Sequence, residues 1–269
     1  MLSLLYFAVL ASGFHHSFEP KPGLDQCYRD TYDLQFSAAH HCFENWEHAH
    51  PQDPMGPVSD ATAYLFSEFD RLKVLRFDFF KDNKAFLNRK RPTPDPQIKQ
   101  RFDNDLQRGQ QLAEKALRSS PHDETALLAN VLRLVLKSDY DALIDFQYAQ
   151  SLNEIKKATA EANRLLKRHP ECYDANLAIG VENYLLSLKP APVRWFLRLS
   201  GAHTSKKAGL AKLRIVAQKG DYLKPYAKVL LAIAALRDND KEKARQILSE
   251  LTKEFPNNDL FQSELKKLM

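Results

Sequence analysis

The sequence predicts an all-α protein, and its composition gives the first reason. Leucine (39 residues) and alanine (29) far outnumber valine (9) and isoleucine (7), although β-branched residues are the ones that favour strands. Glycine occurs only 8 times, and the sequence contains no glycine-rich phosphate-binding motif or hydrolase motif. A nucleotide-binding α/β enzyme is therefore disfavoured.

A recurring spacing of residues is the second reason. Near the C-terminus Ala244, Leu248 and Leu251 are followed by Pro256, at intervals of 4, 3 and 5 residues. The small residue lets two helices approach, the larger residues fill the space between them, and proline ends the helix. The same spacing occurs four more times: at Ala39, Phe43, Trp46 and Pro51; Gly109, Ala113, Ala116 and Pro121; Ala158, Ala162, Leu165 and Pro170; and Gly209, Leu213, Val216 and Asp221.

This pattern resembles the tetratricopeptide repeat (TPR) family over about residues 24–259. Gly180 and Ala232 stand where the first helix of a repeat has a small residue, and Tyr64 where it has an aromatic one. The resemblance implies a right-handed α-solenoid of about five helical hairpins, whose concave face and edges bind proteins or peptides. A short capping helix is expected over 259–269. The layout is similar to that of uncharacterised exported bacterial TPR proteins.

The chain departs from a regular repeat by long insertions within its middle hairpins. The terminating residues are 70, 49, 51 and 35 positions apart, whereas the family repeats every 34 residues. The extra residues fall at about 76–99, 138–153 and 189–205, and we expect all three insertions on one edge. Their aromatic residues either pack on one another as a satellite core, which we favour, or form a rim of anchors for a partner or a bilayer.

The first residues predict export. An apolar run over 2–11 precedes small residues at Ala11 and Gly13, which is typical of a signal peptide, although no Lys or Arg comes before it. We expect a signal peptide over 1–18 and a single helical repeat domain over 19–269, in the periplasm or cell envelope. The alternative is that the apolar run is a first buried helix.

The three cysteines do not form a metal-binding or redox pair in the sequence. Cys27 and Cys42 flank a turn expected near Asp33, so a disulfide could join them in an exported protein. We favour the simpler interpretation that these two residues and Cys172 are small buried side chains of packed helices.

The positive charge of the chain is concentrated in one block. The net charge is +5, yet residues 183–220 contain eight Lys and Arg and no Asp or Glu. Such a block attracts anionic surfaces, unless acids at 139, 141 and 145 or at 238, 240 and 242 pair with it, which we favour. The candidate residues for binding a partner or an anion are Arg194, Trp195, Phe196, Arg198, Lys206, Lys207, Lys212 and Arg214.

The third insertion predicts a short helix over 193–199, between prolines and Gly201. A helix of this length must dock on something. We expect Trp195 to be buried inside the molecule, with Arg194 and Arg198 exposed.

No set of residues predicts catalysis, a metal or a cofactor. His40, Glu44 and His48 recur every four residues and could share a helix face, but ordinary surface histidines are the favoured interpretation. The predicted function is a non-catalytic protein-binding scaffold of the bacterial cell envelope. The alternative is a peripheral membrane or polyanion-binding protein that uses the basic block and the aromatic insertions. No nucleic-acid partner is expected.

Overall fold

A computed structural model describes residues 21–80, 83–199 and 201–269, so the signal peptide expected over 1–18 lies outside the described residues. The described chain contains thirteen α-helices and two short 3₁₀ turns, and no β-strand occurs in it. The helices are α1 (Leu24–Tyr32), α2 (Phe36–Ala49), α3 (Met55–Leu72), α4 (Asn83–Leu87), α5 (Pro96–Ser119), α6 (Glu124–Leu143), α7 (Tyr148–Leu166), α8 (Asn176–Ser187), α9 (Ala191–Leu199), α10 (Lys206–Lys219), α11 (Lys224–Arg237), α12 (Lys241–Glu254) and α13 (Asp259–Lys266). The all-α prediction is confirmed.

The recurring spacing lies on five of these helices, namely α2, α5, α7, α10 and α12. Its small and apolar positions are buried, except that Ala116 is half-buried. Each helix ends two to four residues before its terminating Pro or Asp. The pattern therefore identified both the buried faces and the ends of these helices.

The one terminator that is not proline has a structural reason. Asp174 is buried beside the loop that joins α10 to α11, and its carboxylate accepts the backbone N–H groups of Asp221, Tyr222 and Leu223 at 3.1, 3.0 and 3.1 Å. Proline has no N–H. A proline at 221 would therefore remove one of the three hydrogen bonds.

Apart from the short helices α4 and α9, helices pack on their neighbours in chain order. α2 lies against α1 and α3, α5 against α3 and α6, α7 against α6 and α8, α10 against α8 and α11, and α12 against α11 and α13. The small residues allow the close contacts: a Cβ atom added to Gly209 of α10 would lie 2.5 Å from the backbone nitrogen of Tyr184 in α8.

Helices α3, α6, α8 and α11 are buried along most of their length. Such helices are enclosed by other helices on all sides. The Tyr226 hydroxyl of α11 donates to the Asp139 carboxylate of α6 at 2.8 Å, and the Tyr226 ring contacts Phe66 of α3 at 5.4 Å between centroids. These helices therefore contact one another through side chains far apart in the sequence.

The beginning and end of the described chain also meet. Asn257 donates two hydrogen bonds to the Asp33 carboxylate, at 2.9 and 2.7 Å, and the Asn258 side chain donates to the Tyr32 carbonyl at 2.7 Å. The ring of Tyr28 stacks on Tyr222 with 5.1 Å between centroids. Nothing in the repeat pattern predicted this contact.

Cys27 and Cys42 form a disulfide that joins α1 to α2. The bridged alternative is therefore the one found, rather than our favoured interpretation of the pair as simple buried side chains, although Cys27 is buried as that interpretation expected. The turn between them was placed correctly, since α1 ends at Tyr32 and α2 begins at Phe36. Cys172 is free and buried, as expected.

Candidate functional site

Aromatic residues of the first two insertions pack together. The Arg89 guanidinium lies between the rings of Phe86 and Phe146, 4.3 Å from each centroid, and donates to the Ala142 and Leu143 carbonyls at 2.8 and 3.2 Å. Tyr148 contacts both rings. The expected satellite core is confirmed for these two insertions.

The second insertion is much shorter than expected. The sequence placed an insertion over 138–153, but α6 continues to Leu143 and α7 begins at Tyr148. The acids of this segment have partners within the helical arrangement: Asp139 accepts from Tyr226 of α11, and Asp141 pairs with Lys137 one turn earlier in α6.

The third insertion contains the predicted short helix, α9. It begins after α8 ends at Ser187, and Gly201, with a φ of 82°, follows its end. The Arg194 guanidinium is half-buried and donates to the Lys189 and Ser187 carbonyls at 3.0 and 3.4 Å. The side of α9 that carries Arg194 therefore faces the end of α8.

The expected burial of Trp195 is wrong. Its side chain is 65% exposed, and Leu199 is 66% exposed. The arrangement is the reverse of our prediction, since the half-buried Arg194 attaches α9 to the end of α8 and Trp195 faces outward. The side chains of Phe196 and Arg198 lie outside the described part of the chain.

Exposed apolar side chains are concentrated around α9. Among the described residues six large apolar side chains are exposed, and four of them lie between positions 185 and 199: Leu185, Val193, Trp195 and Leu199. Pro192, Trp195 and Leu199 are separated by three and four residues, which places them on one face of the helix. This face is the clearest candidate interaction surface of the described chain.

The basic candidates lie on α10, the next helix. Lys206 and Lys207 are exposed in its first turn, and Arg214 is exposed about 10 Å further along. Lys212 is half-buried, and its ammonium group donates to the Asn176 side chain at 2.8 Å. Lys206 and Lys207 therefore lie nearest to α9 in the chain, whereas Lys212 supports the packing of α10 on α8.

Among the described side chains, one of the acids expected to neutralise the basic block pairs with it. Lys206 forms a salt bridge with Asp238 at the end of α11. Asp139 and Asp141 are occupied inside the molecule, as described above. The prediction that these acids pair with the block is therefore correct for Asp238 and wrong for the two acids of α6.

A polar cluster that the sequence did not predict joins α2, α3 and α5. His40 bonds to the Asp60 carboxylate at 2.5 Å, and its ring lies 4.0 Å from that of Tyr64. Burial, with the nearby charges of Asp60 and Glu47, raises the pKa of Asp105 to about 8. His40 therefore contributes to the packing of α2 on α3. Glu44 and His48 are exposed, as expected for surface residues.

No group of three or more metal-binding side chains is found among residues 21–80, 83–199 and 201–269. One small apolar cavity, lined by Tyr32, Phe66 and Phe69 among others, has a volume of about 30 Å³, which is about the space of one water molecule. A larger open groove runs between α5, α6 and α7, lined mainly by polar side chains such as Gln107, Gln110, Asn130 and Arg133.

None of the helices in the described chain is long and apolar enough to cross a membrane. No protein-family model, curated protein or solved structure matches this chain. The TPR resemblance therefore rests on the residue spacing.

Proposed function

We propose that this chain is a non-catalytic scaffold of the bacterial cell envelope that binds another protein. The proposal is carried by the helices with the small–apolar spacing, each of which packs between two neighbours in chain order. The pairs α1/α2, α3/α5, α6/α7, α8/α10 and α11/α12 are then five TPR-like hairpins of a right-handed solenoid, with α13 as the cap. Solenoids of this class present extended surfaces to protein partners.

The partner binds the outer surface in this proposal. A TPR solenoid offers its concave face, but here the helices that would form that face are buried against one another. The open groove between α5, α6 and α7 remains accessible. It has apolar side chains of Leu106 and Leu134 among polar and charged ones, a mixture suited to a peptide with both kinds of side chain.

Photo-crosslinking in intact cells tests the binding function. A photoreactive amino acid replaces Gln107, which is exposed in the groove, and in a matched control it replaces Gln218, which is exposed on α10. We expect a discrete crosslinked protein from position 107, identified by mass spectrometry, and a weaker one from position 218. Equal background from both positions would refute binding in the groove.

The disulfide supports export, because disulfides persist in oxidising compartments and are rare in the cytosol. Thiol alkylation of cells before and after reduction tests this part. We expect Cys27 and Cys42 to react only after reduction. Alkylation of both residues without reductant would contradict an oxidising location.

The alternative function, binding to a membrane or a polyanion, is favoured by one observation. The first two insertions use their aromatic residues in internal packing, so they do not support it. The third insertion does, because Trp195 and Leu199 are exposed beside a block of lysines and arginines without acids.

A further inference from the structure

We propose that α9 docks on the surface of a bilayer containing anionic lipids, with Trp195 and Leu199 inserted between the headgroups. This proposal applies the alternative function, membrane binding, to α9 alone. It is compatible with the proposed protein-binding function and does not depend on it. The interaction surface is the exposed face of α9, and the partner is an anionic bilayer.

The shape of α9 fits an interface better than a pocket. Its outward face carries Pro192, Trp195 and Leu199 in one line, and Val193, elsewhere on the same helix, is 44% exposed. Helices that lie in the plane of a membrane bury such a face to a depth of about 5–10 Å. Tryptophan is enriched at this depth because its amphipathic ring suits the boundary between headgroups and acyl chains. A convex apolar ridge inserts there without needing a complementary groove.

The opposite side of α9 is already occupied, which fixes the direction of insertion. Arg194 bonds to carbonyl groups at the end of α8, and Leu197 is half-buried. The helix therefore cannot turn its apolar face inward without losing these contacts. The apolar face is held outward before any membrane is encountered.

Charge complementarity selects anionic lipid as the occupant. No acid occurs in residues 183–220, and Lys189 and Lys207 are exposed on either side of α9 in the chain. Asp238 and Glu182, two acids outside the block, contact it: Asp238 pairs with Lys206, and the buried Glu182 accepts the backbone N–H of His203 at 3.0 Å. Basic residues near an anionic surface each strengthen attachment.

Flotation of the full chain with lipid vesicles tests the proposal. We expect the protein to float with vesicles of phosphatidylcholine and phosphatidylglycerol at low salt, and to float much less at high salt or with phosphatidylcholine alone. Trp195→Ala should lower the partition coefficient roughly tenfold or more. Met269→Ala removes another exposed apolar side chain, far along the chain, and should leave it unchanged.

A matched pair of variants tests the charges. Lys189→Gln with Lys207→Gln removes the two exposed lysines on either side of α9 in the chain and should weaken binding to the anionic vesicles roughly tenfold. Lys241→Gln with Lys243→Gln removes two exposed lysines from the first turn of α12. The two double variants have the same net charge, and we expect the α12 variant to bind the vesicles like the wild type.

Tryptophan fluorescence gives an independent readout. Trp46 is 7% exposed and Trp195 65% exposed, so a blue shift on adding anionic vesicles reports Trp195. The proposal is overturned if wild-type protein does not float at low salt, or if Trp195→Ala floats as well as the wild type. It is also overturned if α9 crosslinks to another protein or to a second copy while vesicles have no effect. A failure here leaves the groove crosslinking result at position 107 unaffected.

Discussion

Replacing Asp174 by alanine should destabilise the fold more than the loss of an ordinary helix cap. Asp174 is 1% exposed, and its carboxylate accepts three backbone N–H groups from the loop before α11. The same loop places Tyr222 against Tyr28, so it also supports the contact between the two ends of the described chain.

The magnitude follows from the three donors. Leaving one buried donor without a partner costs about 1–3 kcal/mol. The loop relaxes and water reaches part of it, so the three losses do not add fully, and we expect Asp174→Ala to lower the free energy of unfolding by about 3–5 kcal/mol. Asp174→Asn keeps one acceptor oxygen and should fall between alanine and the wild type.

Urea unfolding followed by far-ultraviolet circular dichroism measures the difference. Burial raises the pKa of Asp174 to about 6, so the measurement belongs at a higher pH, where the carboxylate is charged. Asp123→Ala is the matched control, because Asp123 caps α6 by accepting one N–H at 2.8 Å and is only half-buried. It should cost about 1 kcal/mol. Equal losses for the two alanine variants would refute the reasoning.

Three further predictions concern stability. Trp195→Ala should change the free energy of unfolding by less than about 0.5 kcal/mol, and Trp46→Ala should lower it by about 3–5 kcal/mol, because only Trp46 is buried; a comparable thermal shift in both variants would contradict this. Burial raises the pKa of Asp139 to about 7 in the folded state, whereas the unfolded carboxyl titrates near its ordinary value of about 4. The folded chain therefore holds a proton that the unfolded chain releases, and stability should fall as pH rises from about 4 to about 7, by up to about 4 kcal/mol from this group. Asp139→Asn should remove that part of the slope in urea titrations, and an unchanged slope would count against it. Replacing Cys27 and Cys42 by alanine opens a bridge between residues 15 positions apart and should cost about 2–4 kcal/mol; dithiothreitol should lower the melting temperature of the wild type and have no effect on that variant.

The sequence was sufficient to predict the secondary-structure class and the buried face of the repeated helices. Burial at positions such as Ala158 and Leu248 follows directly from helical periodicity, since residues three and four apart share a face. The ends of α2 and α12 follow from prolines that cannot continue a helix. These are local rules, and they hold without knowledge of the neighbouring helices.

Features that depend on distant neighbours were missed. The residues from 138 to 143 were assigned to an insertion because the repeat there is longer than 34 residues, but α6 continues through them and Tyr226 of α11 donates to Asp139. The contact of Asp33 with Asn257 joins residues 224 positions apart, and no periodic pattern encodes such a pairing. The disulfide was foreseen as an alternative but not preferred, because spacing alone does not reveal oxidation.

The error at Trp195 has a physical origin that also bears on function. Amphipathic periodicity identifies the apolar face of a helix but not the surface that covers it. In α9 the arginine bonds to the end of α8 and thereby turns the apolar face outward. The inner helices are buried on one another and the two ends of the described chain are in contact. No other apolar face of comparable exposure occurs among the described residues. The helix α9 has nine residues and an exposed face that carries Trp195, and few acids neutralise the lysines that flank it in the chain. Packing inside the molecule does not explain these features, whereas binding to another surface does.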